Sequence, residues 1–177
     1  VFVRQLEPLT IRQVPKDETF KLFCDLGAGQ QNLIAEAGFR NDEVGIIDHH
    51  ISQPCDVDYL QVNCHPYGHV KLSAAGVAYL VAKEIDSGNS DLAPLAVIGN
   101  IGDMMAREDC GLTGIAREIA YEGSAHGSVE VRKHDLNCYG ISTRPLHISL
   151  SYNDDPIIPG ISNNARGALR FLQKLGI

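Results

Sequence analysis

Two short apolar runs in this chain each stop at an aspartate, and this repeat constrains the fold more than any other feature. The first run covers residues 21–24 and stops at Asp25, just before a glycine-rich turn. The second covers residues 43–47 and stops at Asp48, and a third run covers residues 58–62. Apolar runs of this length that end at turn residues predict buried β-strands.

Stretches whose apolar residues recur at helical spacing lie between and after these runs, and they complete the prediction of the fold. They cover residues 31–37, 77–85, 92–101, 113–121 and 165–175. Ser73 is a favourable N-cap for the second of them. Strands that alternate with helices predict an α/β fold with a mostly parallel sheet flanked by helices. The 177 residues suit one such domain, so we expect residues 1–177 to form a single domain.

Composition excludes several classes of protein. Hydrophobic residues make up 44% of the chain, which excludes a disordered protein. No apolar run reaches the roughly 20 residues that cross a bilayer, so no membrane association is expected. The five cysteines include no Cys-x-x-Cys pair, which argues against a disulfide framework and favours a reduced, cytoplasmic protein. The formal net charge of −7 is the wrong sign for a generic nucleic-acid binder, so any basic surface must be local.

The side chains that follow the first two strands are the candidate functional residues. Parallel sheets bind ligands at the carboxyl ends of their strands, where Asp25 and the Asp48-His49-His50 triplet are predicted to lie. Carboxylate and imidazole together suit Mn²⁺, Fe²⁺ or Zn²⁺. Adjacent residues of a strand point in opposite directions, so one histidine would face a metal and the other the substrate unless the chain turns there. A surface loop with two incidental histidines is the alternative.

Two aspartates are ambiguous when each is considered alone. Asp25 precedes a Gly-x-Gly turn and could be only a turn-forming residue. Asp103 follows Gly102 at the end of a predicted helix and could be an ordinary helix terminus. Cys24, beside Asp25, is predicted to be a buried strand residue. Ser73 could bind phosphate at the start of its helix, although its capping role explains it equally well.

The combination of these residues resembles motifs II, III and IV of the DHH phosphoesterases. The segments that carry the resemblance are residues 25–30, 47–50 and 99–104. Within the family, their amino-acid sequences are most similar to those of the archaeal RecJ-like exonucleases. Further similarity lies in residues 63–68, 73–82, 155–162 and 169–172, so the resemblance covers nearly the whole chain.

The resemblance implies a centre with two divalent ions, usually Mn²⁺, with Mg²⁺ as the alternative. Asp25 would bridge both ions, and His49 and Asp103 would ligate one of them. Asp48 would orient its neighbours, and His50 would face the scissile phosphate. Two ions about 4 Å apart can activate a water molecule and stabilise the leaving oxygen.

Two parts of the family pattern are missing from the chain. The Asp-x-Asp of motif I, which completes both metal sites, has no counterpart before Asp25, because Asp17 is the only earlier aspartate. The C-terminal nucleic-acid-binding domain of the family is also missing. We therefore expect residues 1–177 to be a DHH phosphoesterase domain from a larger nuclease, and to be inactive when isolated.

The function expected from the resemblance is hydrolysis of single-stranded DNA or RNA from an end, in DNA repair or replication. A pyrophosphatase or an oligonucleotide phosphodiesterase would share the same metal core. A non-catalytic replisome scaffold that binds GINS is a different class of alternative. The five site residues are all intact, and this favours an enzyme over a scaffold.

Overall fold

The computed structural model describes residues 1–106, 111–132 and 138–177 and contains one parallel sheet. Its strands are β1 (Lys21–Cys24), β2 (Val44–Asp48) and β3 (Leu60–Asn63), in the order β1-β2-β3. Both pairings are parallel, so the predicted parallel sheet is confirmed. The third strand begins two residues later than the apolar run that predicted it.

Helices flank the sheet, which confirms the α/β prediction. They are α1 (Gln31–Glu36), α2 (Ala74–Ile85), α3 (Ala93–Gly102), α4 (Gly114–Ala125), α5 (Leu146–Ser151) and α6 (Ala165–Leu175), with short 3₁₀ turns at Ile11–Gln13, Ala28–Gln30, His65–Tyr67 and Ser87–Leu92. Ser73 caps α2 as predicted, because its hydroxyl oxygen accepts a hydrogen bond from the amide of Gly76 at 3.3 Å. The sequence did not predict α5, and α4 continues four residues beyond its predicted end.

Strand β2 is the centre of the fold, since all five of its residues are buried. One face of β2 contributes Val44 and Ile46 to an apolar cluster with Ile34 of α1. The other face contributes Ile47 to a second cluster that contains Val77 of α2. The sheet is therefore covered on both sides at β2, which fixes the direction in which the end of this strand points.

Strand β1 is buried on one side only, and this corrects the prediction for Cys24. Lys21 and Phe23 are buried, whereas Leu22 is 55% exposed and Cys24 is exposed. Side chains alternate between the two faces of a strand, so a side chain beside a buried Phe23 faces the opposite way. That second face is uncovered at β1, a property of the tertiary packing that an apolar run does not reveal.

The chain forms two compact units, Val1–Val131 and Arg132–Ile177. The second unit has its own apolar cluster, where α5 and α6 pack around Leu150, Ala168 and Leu172. That residues 1–177 form a single phosphoesterase domain stays a prediction. Within the described residues, no helix combines the length and apolarity needed to span a membrane.

Candidate metal centre

Three elements deliver the candidate residues to one end of the sheet. Asp25 follows the last residue of β1, and its amide still donates to the carbonyl of Ile47 at 2.9 Å, so the sheet pairing continues to this residue. His49 follows the last residue of β2, the neighbouring strand. Asp103 follows the last residue of α3, and its amide donates to the carbonyl of Gly99 at 2.9 Å. Backbone hydrogen bonds thus fix the positions of both aspartates.

The imidazole of His49 lies between two carboxylates. Its Nε2 atom is 3.5 Å from Oδ1 of Asp25 and 3.3 Å from Oδ2 of Asp103. The side chain of His49 is only 11% exposed, whereas those of Asp25 and Asp103 are 66% and 45% exposed. The structure therefore brings together the three residues that the sequence suggested as metal ligands, with both carboxylates open to solvent. Their role as ligands stays a prediction.

Asp48 is fully buried and uses both carboxylate oxygens for hydrogen bonds. Oδ2 accepts from the amide of Ala28 at 2.9 Å. Oδ1 accepts from the amides of His49 and His50 at 2.8 and 3.2 Å, and lies 2.7 Å from Nδ1 of His50. Burial alone would raise the pKa of Asp48, but these hydrogen bonds outweigh burial and lower it. An ionised Asp48 therefore holds the turn after β2.

His49 and His50 lie side by side because the chain turns directly after β2. Their ring centroids are 4.4 Å apart, so the opposite orientation expected of a continuing strand does not apply. The side-chain Nδ2 of Asn63, on β3, donates to the backbone carbonyl of His50 at 2.8 Å and supports this turn. The hydrogen bond to Asp48 raises the pKa of His50 against the opposing effect of burial. Nδ1 of His50 therefore lies against Asp48, while the side chain as a whole is 59% exposed.

Two residues at the centre have an unusual backbone conformation. Asp25 has φ of +63° and Met104, directly after Asp103, has φ of +57°. Left-handed backbone of this kind is uncommon outside glycine and clusters at functional sites. At Asp25 the conformation turns the chain out of β1 while the amide stays paired with β2. The glycines that follow Asp25 are the local sequence signal that points to this backbone conformation.

A cleft of about 400 Å³ adjoins the carboxylates of Asp25 and Asp103. Its other walls come from the start of α2 and the end of α3, where the side chains are small. A Cβ atom added to Gly99 would lie 2.3 Å from Cβ of Ala75, so the two helices are in close contact here. The side-chain oxygen of the buried Asn100 accepts from the amide of Ser73 at 2.9 Å and locks this contact.

Sequence reasoning assigned no role to the residues that position the centre, above all Ala28, Asn63 and Asn100, although they lie in the segments that carry the family resemblance. Each forms a hydrogen bond to a residue at least 13 positions away in the chain. An alanine or asparagine with such a role has no local sequence pattern. Arg107 follows Asp103 closely enough in the sequence to contact a phosphate, although a solvated surface arginine is the simpler interpretation, and it lies outside the described residues.

The chemistry of the donors fits a divalent cation. Asp25, Asp48, His49 and His50 each offer a ligand atom, and these atoms all lie within 4.8 Å of one another. Carboxylate oxygen and imidazole nitrogen suit Mn²⁺ and related ions. Asp48 is the least available of the four, because both of its oxygens already accept hydrogen bonds from the protein.

Comparison with known proteins agrees with this chemistry. Residues 138–177 match the family model of the DHH-CID domain. The match supports membership of the DHH family, whose members are metal-dependent phosphoesterases and therefore hydrolases. It lies within the second compact unit, whereas the Asp25–His49–Asp103 centre lies in the first.

The chain is also similar to an uncharacterized protein of Methanocaldococcus jannaschii. The two are 31% identical over 163 residues, which is 88% of this chain and 35% of that protein. The chain thus spans about a third of the length of the curated relative that it matches.

Proposed function

We propose that the protein is a metal-dependent phosphodiesterase that hydrolyses single-stranded DNA or RNA from an end, with two Mn²⁺ ions. The observation that carries the proposal is the placement of the His49 imidazole within 3.5 Å of Asp25 and 3.3 Å of Asp103. Two exposed carboxylates against one nearly buried imidazole form an open site that a cation can enter from solvent. Such a site suits phosphoryl chemistry, in which charge on oxygen must be neutralised.

Each residue of the centre has a distinct role in this proposal. Asp25, His49 and Asp103 would hold the metal ions. The chemistry that such ions would supply when bound is a water molecule with a lowered pKa and stabilisation of the leaving oxygen. Asp48 fixes the turn that carries both histidines. His50, whose pKa is raised and whose side chain is 59% exposed, can donate a hydrogen bond to a phosphate oxygen.

The class of substrate follows from the resemblance to RecJ-like exonucleases, and a pyrophosphatase or oligonucleotide phosphodiesterase is the alternative enzyme. The three activities share this metal chemistry and differ in what binds the rest of the substrate. A labelled single strand, pyrophosphate and a dinucleotide assayed side by side separate them. Preferred hydrolysis of either small substrate would contradict the exonuclease proposal.

The scaffold alternative, in which the protein serves mainly as a GINS partner, requires no chemistry at this centre. The exposed carboxylates of Asp25 and Asp103 on either side of His49 favour the enzyme, because a scaffold would not need them there. Binding of GINS and nuclease activity can coexist, so a complex with GINS would not by itself exclude the enzyme. Absence of hydrolysis in the full-length protein with saturating Mn²⁺ would favour the scaffold.

The decisive experiment compares Asp25→Ala with Asp56→Ala in the full-length protein. Asp56 is an exposed aspartate outside the centre, so its loss removes the same charge without touching the proposed ligands. We expect Asp25→Ala to lose Mn²⁺-dependent hydrolysis of a labelled single strand by a factor of at least about 100, and Asp56→Ala to keep it. Wild-type turnover of Asp25→Ala at low Mn²⁺ would show that Asp25 is not a ligand.

A further inference from the structure

The two compact units of the chain have net charges of opposite sign. Residues 1–131 contain nine lysines and arginines and 19 aspartates and glutamates, which gives a net charge of −10. Residues 132–177 contain six basic and three acidic residues, which gives +3. From residue 156 to the end of the sequence given, three basic residues occur and no acidic one. The positive charge of the second unit is therefore concentrated on α6.

The three basic residues of α6 form one stripe, which consists of Arg166, Arg170 and Lys174. They are four positions apart, so they lie on one face of the helix at intervals of about 6 Å along its axis. The buried residues Ala168 and Leu172 lie on the opposite face. All three basic side chains are exposed, and no salt bridge to them occurs within the described part of the chain.

The stripe differs from the usual solvated face of a helix. Surface helices usually mix acidic and basic residues four positions apart, because such pairs attract. Residues 165–175 contain no acidic residue, so the neighbours along this stripe repel and slightly weaken the helix. The repulsion disappears when an anionic ligand lies along the stripe. A polyanion with regularly spaced charges matches this arrangement best.

A second feature of the same unit also favours nucleic acid. The guanidinium of Arg144 lies 5.1 Å from the ring centroids of both Tyr139 and Tyr152. The tyrosines are 73% and 54% exposed, so much of their ring surface is open to solvent. Exposed aromatic rings held in place by arginine are surfaces on which unpaired bases stack. An acidic peptide would gain little from them.

We propose that the second unit binds single-stranded nucleic acid, with its phosphates along Arg166, Arg170 and Lys174 and a base against Tyr139 or Tyr152. Arginine side chains can hold phosphate oxygens with two parallel hydrogen bonds, and lysine adds a point charge. The surface lies in the unit that lacks the Asp25–His49–Asp103 centre. Binding to it therefore does not depend on metal or on the proposed hydrolysis, and each proposal can fail without the other.

The test measures binding of a labelled oligo-dT to the full-length protein by fluorescence anisotropy, in EDTA, at salt concentrations from about 50 to 200 mM. Each phosphate contact on a single strand contributes about 0.7 to the slope of log affinity against log salt concentration. The triple variant Arg166→Gln, Arg170→Gln, Lys174→Gln should therefore show a slope smaller by about 2. Glutamine is a good helix former, so α6 should persist, and circular dichroism checks this.

A matched control variant carries Arg4→Gln, Arg12→Gln and Arg117→Gln. These three residues are exposed in the first unit, so the net charge of the protein changes equally. The control should keep the wild-type slope, as should Arg166→Lys with Arg170→Lys, which retains the charges. An unchanged slope in the triple variant, or an equal loss in the control, would overturn the proposal.

Two further binding measurements distinguish base stacking and peptide binding from phosphate binding. Tyr139→Ala with Tyr152→Ala should weaken oligo-dT binding at least about fivefold without changing the salt slope, since stacking is not ionic. Unchanged affinity in this variant would overturn the base-stacking part. Labelled polyglutamate serves as the acidic polypeptide. If the triple variant lost polyglutamate binding and kept oligo-dT binding, the stripe would be a site for acidic proteins.

Discussion

The buried carboxylate of Asp48 accepts a hydrogen bond from the backbone amide of Ala28, 20 residues earlier in the chain, at 2.9 Å. This bond joins the turn after β1 to the end of β2, and so it sets the distance between Asp25 and His49. Asp48 thus contributes to the centre through the backbone of other residues. Several properties of the protein should depend on this bond.

Asp48→Asn should destabilise the metal-free protein, although the side chain keeps its shape. An amide has one oxygen and so cannot accept all the hydrogen bonds that the two carboxylate oxygens accept, which leaves a buried donor without a partner. The expected loss in the free energy of unfolding is about 1–3 kcal/mol. Urea denaturation in EDTA measures it, with Asp56→Asn as the control. A loss no larger than that of the control would contradict the role given to Asp48.

The left-handed conformation of Asp25 predicts a difference between two substitutions that both remove the carboxylate. Glycine adopts φ of +63° without strain, whereas alanine does not. Asp25→Gly should therefore be more stable than Asp25→Ala by about 1 kcal/mol in the metal-free state. Both should lose Mn²⁺ affinity, which isothermal titration calorimetry measures. Equal stability of the two variants would mean that the backbone relaxes once the carboxylate is removed.

The Asp48–His50 pair predicts a pH-dependent contribution to stability. The pKa of His50 is raised from 6.5, so its contribution is fully present below about pH 6.5 and is lost as the pH rises through the higher folded value. The pKa of Asp48 is lowered from 3.8, so its contribution is lost only when the pH falls through the lower folded value. The pair therefore stabilises the protein most near about pH 5.

His50→Gln tests this window in the metal-free protein. The stability difference from wild type should be at most about 1 kcal/mol, because the His50 side chain is 59% exposed and solvent screens the pair. It should be largest near about pH 5 and vanish near about pH 9. Urea midpoints at the two pH values give the comparison. A difference that grew towards alkaline pH would refute the assignment.

The contact between α2 and α3 predicts opposite effects for two glycines of the same helix. A Cβ at Gly99 would lie 2.3 Å from Cβ of Ala75, whereas one at Gly102 would meet nothing within 4 Å. Gly99→Ala should destabilise the protein by about 1–3 kcal/mol, because the helices must separate. Gly102→Ala should be neutral or slightly stabilising. Thermal unfolding of both variants measures the effect, and equal melting temperatures would contradict the close contact.

The sequence predicted those elements whose pattern is local. The apolar runs located β1 and β2, and the bounds predicted for α6 match the structure, because its apolar and charged faces alternate with the helical period. Asp25, His49 and Asp103 could be predicted to meet only through the family resemblance. The apolar runs predicted that Asp25 and His49 follow neighbouring strands. No local sequence pattern predicted that Asp103 lies beside them.

Features that depend on distant residues could not be predicted. The exposure of Cys24 depends on the uncovered second face of β1, and the turn that aligns His49 with His50 depends on hydrogen bonds to Asp48 and Asn63. Helix α5 has only six residues and is held by α6, so it shows no clear period of its own. The separation into two compact units likewise follows from contacts across the chain.

The backbone hydrogen bond from Asp25 to Ile47 affects the size of the ion that the centre accepts. Asp25 and His49 extend from hydrogen-bonded neighbours in the sheet, whose spacing of about 4.8 Å is nearly invariant. Asp103 extends from a helix end, whose position depends on how closely α3 packs against Ala75. We therefore expect that the distance from Asp103 to the other two residues can change, whereas the distance between Asp25 and His49 cannot. A substitution that moves α3 outward should favour larger cations such as Ca²⁺ over Mg²⁺, without any change of ligand.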